Sequence, residues 1–256
     1  MKNIFRLDGK VAVVIGGGGG IGRYLAEGLS HYGAKVAIAS RNIEKLKKVA
    51  EEIGSKTGGD VEAFQVDVTD EKSVAQLREQ VLSRYGTVDI LVNSQGFNVK
   101  RPAIEFPVQD WDALFDVNVK GTLLACREFG KVMVEKRKGK IINMSSVRGI
   151  RATKWGGNVG YCATKGAVDM ITRALAAEWA PYNVNVNAIA PALVDTGFSP
   201  TLRDPERLKK YIDSIPLGRI AKPEDIVGVC IFLASPASDF ITGQIIYIDG
   251  GLTAIG

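Results

Sequence analysis

Five consecutive glycines, Gly16 to Gly20, with another at Gly22, stand between the apolar run Val11 to Ile15 and a segment of helical period, Ile21 to Tyr32. A strand-to-helix turn without Cβ atoms leaves backbone amides and a helix start open to an anion, and a pyrophosphate fits that space. The setting carries more weight than the glycines, because the turn sits in the opening βαβ unit, where dinucleotides bind. A merely flexible loop would need neither the strand nor the helix. No Gly-Lys-Ser or Gly-Lys-Thr follows, so a phosphate-only Walker loop is excluded.

The rest of the chain continues the same alternation. Strand-length apolar runs fall at Val11 to Ile15, Lys35 to Ala39, Glu62 to Val66, Asp89 to Val92, Lys140 to Met144, Val184 to Ala190 and Gln244 to Ile248. Between them lie helical segments at Ile21 to Tyr32, Ile43 to Ile53, Glu71 to Tyr85, Trp111 to Lys136, Tyr161 to Ala180 and Glu224 to Ala234. Gly33 is placed to cap the first helix and Pro223 to open the last. The pattern predicts an α/β fold: one Rossmann-type domain over residues 1–256, a doubly wound parallel sheet of about seven strands with helices on both faces. The stretch from Pro191 to Arg219, with prolines at 191, 200, 205 and 216, is the irregular one and reads as a substrate lid over the carboxyl edge of the sheet.

Composition narrows the function classes. The 33 basic and 28 acidic residues leave a net charge of +5, spread along the chain apart from clusters at Lys45 to Lys48 and Lys136 to Lys140. Both clusters are expected near helix carboxyl ends, so a nucleic-acid surface is not predicted. The longest uncharged stretch, Trp179 to Val194, is interrupted by prolines and asparagines, and Met1 to Asp8 lacks the apolar core of a secretory signal. No membrane contact and a cytoplasmic location are expected. Cys126, Cys162 and Cys230 cannot all pair and form no CxxC, which fits a reducing compartment. The single histidine, His31, near the end of a predicted helix, cannot by itself build a histidine metal site or a Ser-His-Asp triad.

Tyr161 and Lys165 stand four apart at the start of a predicted helix and so share one face. An ammonium beside the phenol is expected to lower its pKa from about 10, making it a proton donor and acceptor nearer neutrality.

The spacing Gly16-x3-Gly20-x-Gly22 resembles the short-chain dehydrogenase/reductase family, and further matches follow in family order. They are Asp67-Val68, Asn93-Ser94-Gln95-Gly96, Asn118-Val119-Lys120-Gly121, Ser145-Ser146, Tyr161-Cys162-Ala163-Thr164-Lys165, Asn187-Ala188-Ile189-Ala190-Pro191 and Asp249-Gly250-Gly251. Ile15, Ser94-Gln95 and Ala192 depart from the usual residues without removing a reacting group. The resemblance implies a catalytic set in which Tyr161 exchanges a proton with the alcohol or carbonyl oxygen and Lys165 assists it and binds the nicotinamide ribose. Ser146 would hold the substrate oxygen and Asn118 a water next to Lys165. Ser146 is chosen over Ser145 because Ser146-Val147-Arg148-Gly149 fits the family pattern.

Gly16, Gly19, Ile21, Ser40, Arg41, Asp67, Val68, Asn93, Gly96, Val194 and Thr196, with Tyr161 and Lys165, would hold the cofactor. The second strand ends Ala39-Ser40-Arg41-Asn42, with no carboxylate to repel a ribose phosphate, so NADP(H) is expected over NAD(H), which stays open. Gly19 occupies the place where NADP-preferring relatives often carry a base. The closest pattern is that of the gluconate 5-dehydrogenases, which implies a sugar acid or polyol substrate. Lys100, Arg101, Arg148, Arg151 and Lys154 crowd the expected pocket walls, with Arg101 the expected carboxylate clamp and Arg148 a second contact. A 3-oxoacyl-[acyl-carrier-protein] reductase, a general carbonyl reductase and a non-catalytic nucleotide sensor are the alternatives. No metal is expected, and the family's usual assembly implies a homotetramer.

Overall fold

The computed structural model describes residues 3–153, 155–197 and 200–255. Its centre is a seven-stranded sheet formed by β1 (Val11–Ile15), β2 (Lys35–Ser40), β3 (Val61–Gln65), β4 (Ile90–Asn93), β5 (Gly139–Met144), β6 (Val184–Pro191) and β7 (Ile245–Ile248). The spatial order is β3-β2-β1-β4-β5-β6-β7, and every pairing is parallel. The order reverses between β1 and β4, so a crevice opens beyond their carboxyl ends, where such folds bind nucleotides.

Strands covered on both faces must be apolar throughout, and β1 shows why. Ala12 and Val14 pack toward α1 (Gly20–His31), α2 (Ile43–Thr57) and α8 (Pro223–Ala234), through Leu25, Leu29, Leu46, Val49, Ile226 and Ile231. Val11, Val13 and Ile15 face α3 (Glu71–Tyr85), α5 (Gly121–Glu135) and α6 (Val159–Trp179), meeting Val74, Leu77, Phe129, Met133 and Leu175. Pro223 is the first residue of α8, and Gly33, with φ of 101°, follows the end of α1.

Three expectations are corrected. The helix predicted over Trp111 to Lys136 begins earlier, as α4 (Val108–Phe115), and is broken by a wide π turn at Asp116–Lys120 before α5. Such a turn leaves the apolar periodicity nearly intact and is therefore invisible in it. The Lys45 to Lys48 cluster lies in the first turns of α2, not near its carboxyl end. Within the irregular stretch, a 3-10 turn at Pro200–Arg203 precedes a short helix, α7 (Pro205–Ile212), capped by Asp204 accepting from Arg207 N–H at 3.0 Å. Residues 198 and 199 of this stretch lie outside the described residues.

A small apolar cluster joins Val147 after β5, Tyr211 of α7, Ile215 and Leu252. Arg151 hydrogen-bonds the main-chain oxygen of Leu252, which ties the carboxyl-terminal segment to the same loop. This cluster fixes the walls of the site against one another.

Candidate active site

The crevice beyond β1 and β4 is a cavity of about 930 Å³, within the range of small-molecule and cofactor sites. Its floor depends on the absence of side chains. A Cβ on Gly16 (φ 85°) would stand 2.7 Å from the backbone of Gln95, and one on Gly22 would stand 2.4 Å from the Gly16 oxygen. The turn therefore closes directly onto the β4 loop and the start of α1. Gly16, Gly19, Ile21, Ser40, Arg41, Asp67, Val68, Gly96, Tyr161, Lys165, Val194 and Thr196 all line the crevice. Lys45, which the sequence offered only as part of a basic cluster and not as a site residue, lines it as well.

Asn93 does not. Its side chain is buried beneath the crevice, donating to Asn143 Oδ1 at 2.9 Å and to Cys126 Sγ at 3.3 Å. Asn93 and Asn143 are register partners on β4 and β5, so this amide pair fastens the two strands, and the Asn93 side chain is directed into the sheet, away from the crevice lining.

Asp67 follows β3 and turns back on itself, accepting from Thr69 N–H at 2.9 Å and Thr69 hydroxyl at 2.8 Å. These bonds, helped by the charges of Arg41 and Lys120, hold its carboxyl below the usual range.

Ser146 lies just past β5 and Tyr161 in the first turn of α6, and both line the crevice and a second cavity of about 240 Å³. Ser145 lines only the first. The Ser146 hydroxyl accepts from Arg148 N–H at 3.2 Å and donates to the Pro191 oxygen at 3.4 Å. Burial raises the Tyr161 phenol above its ordinary value; its hydrogen bond with Ser146 and the positive charge of Arg148 pull it back. The expected lowering by Lys165 is thus corrected. The Lys165 ammonium lies 5.5 Å from the Tyr161 ring centroid, donates to the Met144 oxygen at 2.7 Å, and is itself depressed to about 8 by burial.

Asn118 sits in the π turn and is buried. Its amide accepts from Phe97 N–H at 3.1 Å and donates to the Phe97 oxygen at 3.0 Å and to Thr164 Oγ1 at 3.1 Å. The side chain thus locks the loop after β4 onto α6 beside Lys165.

The second cavity is walled as expected by the loop after Gly96, the stretch after Ser146 and the segment after Pro191. Lys100, Arg148 and Arg207 line it, and no carboxylate does among the described residues. Burial lowers the Lys100 ammonium from its ordinary value, and repulsion from Arg207 and Arg148 adds to the shift. Arg148 is held in place by the oxygens of Arg151 and Ala152, at 3.2 and 2.8 Å. Arg207 comes from α7, whose Tyr211 stacks on Trp155 with ring centroids 5.7 Å apart and accepts from Leu193 N–H at 3.2 Å. Arg101, the expected clamp, is not part of this wall: its Nε lies 3.8 Å from Asp110, whereas its neighbour Lys100 lines the cavity. Lys154 lies outside the described residues.

A nucleotide-sized crevice and a cationic cavity thus share a hydroxyl and a phenol, the arrangement needed to move a proton at an oxygen held between them. A family model described as enoyl-(acyl carrier protein) reductase matches residues 16–253. The chain belongs to the short-chain dehydrogenase/reductase family.

Among its curated short-chain dehydrogenase/reductase relatives is the 2-dehydro-3-deoxy-D-gluconate 5-dehydrogenase of Dickeya dadantii (strain 3937), 38% identical over 258 residues, covering 98% of each chain. The 3-oxoacyl-[acyl-carrier-protein] reductase FabG of Aquifex aeolicus is 36% identical over 247 residues, 96% of this chain and 98% of the relative. A solved gluconate 5-dehydrogenase from Burkholderia cenocepacia J2315, in complex with NADP and tartrate, superposes with a TM-score of 0.95 at 36% identity over 99% of both chains. As a short-chain dehydrogenase/reductase the protein is an oxidoreductase that acts on alcohols or ketones with a nicotinamide cofactor.

Proposed function

We propose that this enzyme interconverts a secondary alcohol and a ketone on a sugar acid of the gluconate/5-ketogluconate type, with NADP(H) preferred. The observation that carries the reading is the second cavity: Lys100, Arg148 and Arg207 converge beside Ser146 and Tyr161 with no acidic residue among the described lining. Three cations left without carboxylates call for an anionic ligand, and a carboxylate at one end of a polyhydroxylated chain supplies it. The tartrate bound by the Burkholderia relative is a hydroxy acid of that kind.

In the reducing direction the carbonyl oxygen accepts the Tyr161 proton while Ser146 steadies it by a hydrogen bond. The nicotinamide, when bound, supplies the hydride. Lys165 keeps positive charge beneath the phenol, and Asn118 holds the loop that closes the nucleotide site over it. For the nucleotide, Ser40 and Arg41 meet the crevice at the end of β2, where β2 itself supplies no carboxylate, and the nearby Asp67 carboxylate is turned toward Thr69. NADP is also what the Burkholderia relative binds.

A carrier-linked 3-oxoacyl reductase is less well supported. Resemblance to carrier-linked reductases would place two basic residues toward the carrier; Arg137 stands at one place and Tyr182 at the other, and Arg137 is engaged, donating to the Pro181 oxygen at 2.7 Å and lying 5.7 Å over the Tyr182 ring. The segment 191–219 is read as the lid, since α7 brings Arg207 to the cavity. A homotetramer in a reducing cytoplasm completes the proposal. It is supported by three free cysteines, by an edge strand β7 half-buried along its length, and by the exposed Phe240 close before it.

The test is turnover of gluconate, 5-ketogluconate, neutral polyols and an acetoacetyl thioester with NADP(H) and NAD(H), followed at the reduced-nicotinamide absorbance. Preferred turnover of the sugar acid is expected. Rapid turnover of the thioester with none of any sugar acid overturns the substrate.

A further inference from the structure

Lys45 is the third residue of α2, and its main-chain N–H donates to the capping side chain of Asn42 at 3.0 Å. That bond fixes the first helical turn beside the glycine loop. The Lys45 ammonium stands 3.4 Å from where a Cβ on Gly19 would be. It therefore fills the space a basic side chain at position 19 would enter.

No side-chain hydrogen bond or ion pair of Lys45 is present among the described residues. The acid next to it, Glu44, is engaged by Lys47 at 3.2 Å. The other groups of this corner are the Ser40 hydroxyl, the Arg41 guanidinium and the Asp67 carboxylate, which is turned onto Thr69. The Ser40 hydroxyl lies 3.3 Å from the position of a Cβ on Gly18, and Arg41 lines the same crevice. An ammonium and a guanidinium, with a hydroxyl between them and one carboxylate already bonded to Thr69, leave this corner net positive beside a loop built for phosphate, at the β2 end away from the Tyr161 side of the crevice.

We propose that Lys45 is a determinant of nucleotide choice, supplying from α2 the cation for the phosphate ester of the adenosine ribose that Gly19 cannot supply from the glycine loop. The inference rests on the NADP(H) reading and deepens it. Lys45 is exposed, so the interaction is screened by salt and belongs at the lower end of charged hydrogen bonds, worth about tenfold in affinity. Gly19 has extended backbone, φ 171° and ψ −177°, which any residue adopts, so a base can be moved from the helix to the loop.

The experiment is titration of the full-length protein with NADPH and with NADH, following nucleotide fluorescence, at low and high salt. Wild type, Lys45→Ala, Lys45→Arg and the double variant Lys45→Ala/Gly19→Arg are compared. The expected result is a wild-type preference for NADPH that falls about tenfold in Lys45→Ala, is kept by Lys45→Arg, returns in the double variant and weakens with salt. A wild type that prefers NADPH with a ratio unmoved by Lys45→Ala overturns the role of Lys45 and leaves the NADP(H) reading to Arg41. Equal weakening of both nucleotides in Lys45→Ala also overturns it. A wild type with no preference overturns the NADP(H) reading and this inference together.

Discussion

The ammonium of Lys165 donates a 2.7 Å hydrogen bond to the main-chain oxygen of Met144, the last residue of β5. The bond joins α6, which carries Tyr161, to the strand end that leads into Ser146, so phenol and hydroxyl are positioned from one rigid unit. It also places a positive charge where water is scarce, and that has a measurable cost.

Burial lowers Lys165 from 10.5 to about 8. Between those values the unfolded chain binds a proton that the folded chain does not, so this group makes stability rise with pH across the window. Below it the folded protein carries the full cost of a buried cation. Lys165→Met is expected to unfold at higher urea at pH 7, by about 2 kcal/mol once the lost bond to Met144 is offset. Above about pH 10.5 the cation cost is gone and only the lost bond to Met144 remains, so the Met variant should there be the less stable by about 1 kcal/mol, and activity should be lost. Urea unfolding at both pH values checks this; a Met variant less stable at pH 7 contradicts it.

Arg148 works against burial in setting the Tyr161 phenol. Removing its charge leaves burial less opposed, so the phenol of Arg148→Gln rises further. With Tyr161 as the proposed base, oxidation of the alcohol draws on the deprotonated phenol, and its kcat/KM profile should shift toward alkaline pH in this variant. An unmoved profile would show that the guanidinium is too well screened to act on Tyr161.

Two glycines of the same loop should respond differently to alanine. A methyl on Gly22 meets the Gly16 oxygen at 2.4 Å, a backbone atom that cannot yield, whereas one on Gly19 meets only the flexible end of Lys45 at 3.4 Å. Gly22→Ala is expected to destabilise by about 1–3 kcal/mol, with loss of nucleotide binding. Gly19→Ala should stay within about 0.5 kcal/mol of wild type. Thermal unfolding with and without nucleotide distinguishes them.

Arg207 and Arg101 give a paired test of the cationic cavity. Arg207 lines it and Arg101 faces Asp110 instead. Arg207→Ala should raise KM for 5-ketogluconate about 10- to 100-fold, the worth of a charged hydrogen bond, with a much smaller effect on a neutral ketose. Arg101→Ala should change either KM by less than about twofold. Equal effects of the two variants would remove the cavity as the carboxylate site.

What the sequence made legible is the part governed by periodicity and by residues with one structural use. The alternating faces of β1, the Pro223 helix start and the glycine turn are read directly, because burial on two faces, a fixed φ and a missing Cβ each leave a local signature. Most crevice residues come from the family resemblance and not from periodicity; only the absence of a carboxylate at Ser40-Arg41 is read from the residues themselves. Less legible were choices that depend on loop path. Lys100 and Arg101 are neighbours, and nothing periodic says which faces the cavity. Arg207 reaches it only because α7 docks through Tyr211 on Trp155. The Asn93 side chain turns to its register partner Asn143, a pairing across strands that no local pattern announces. The π turn that carries Asn118 and the reach of Lys45 over Gly19 are likewise tertiary facts.

In the proposed reaction the Tyr161 phenol hands the proton to, or takes it from, the substrate oxygen. The most direct measurement is kcat of Tyr161→Phe for reduction of 5-ketogluconate, on a variant shown by its melting temperature to be folded. General acid catalysis of this kind contributes about 10²- to 10⁴-fold, and a fall of that size is predicted. A folded Phe variant that turns over at the wild-type rate contradicts the account.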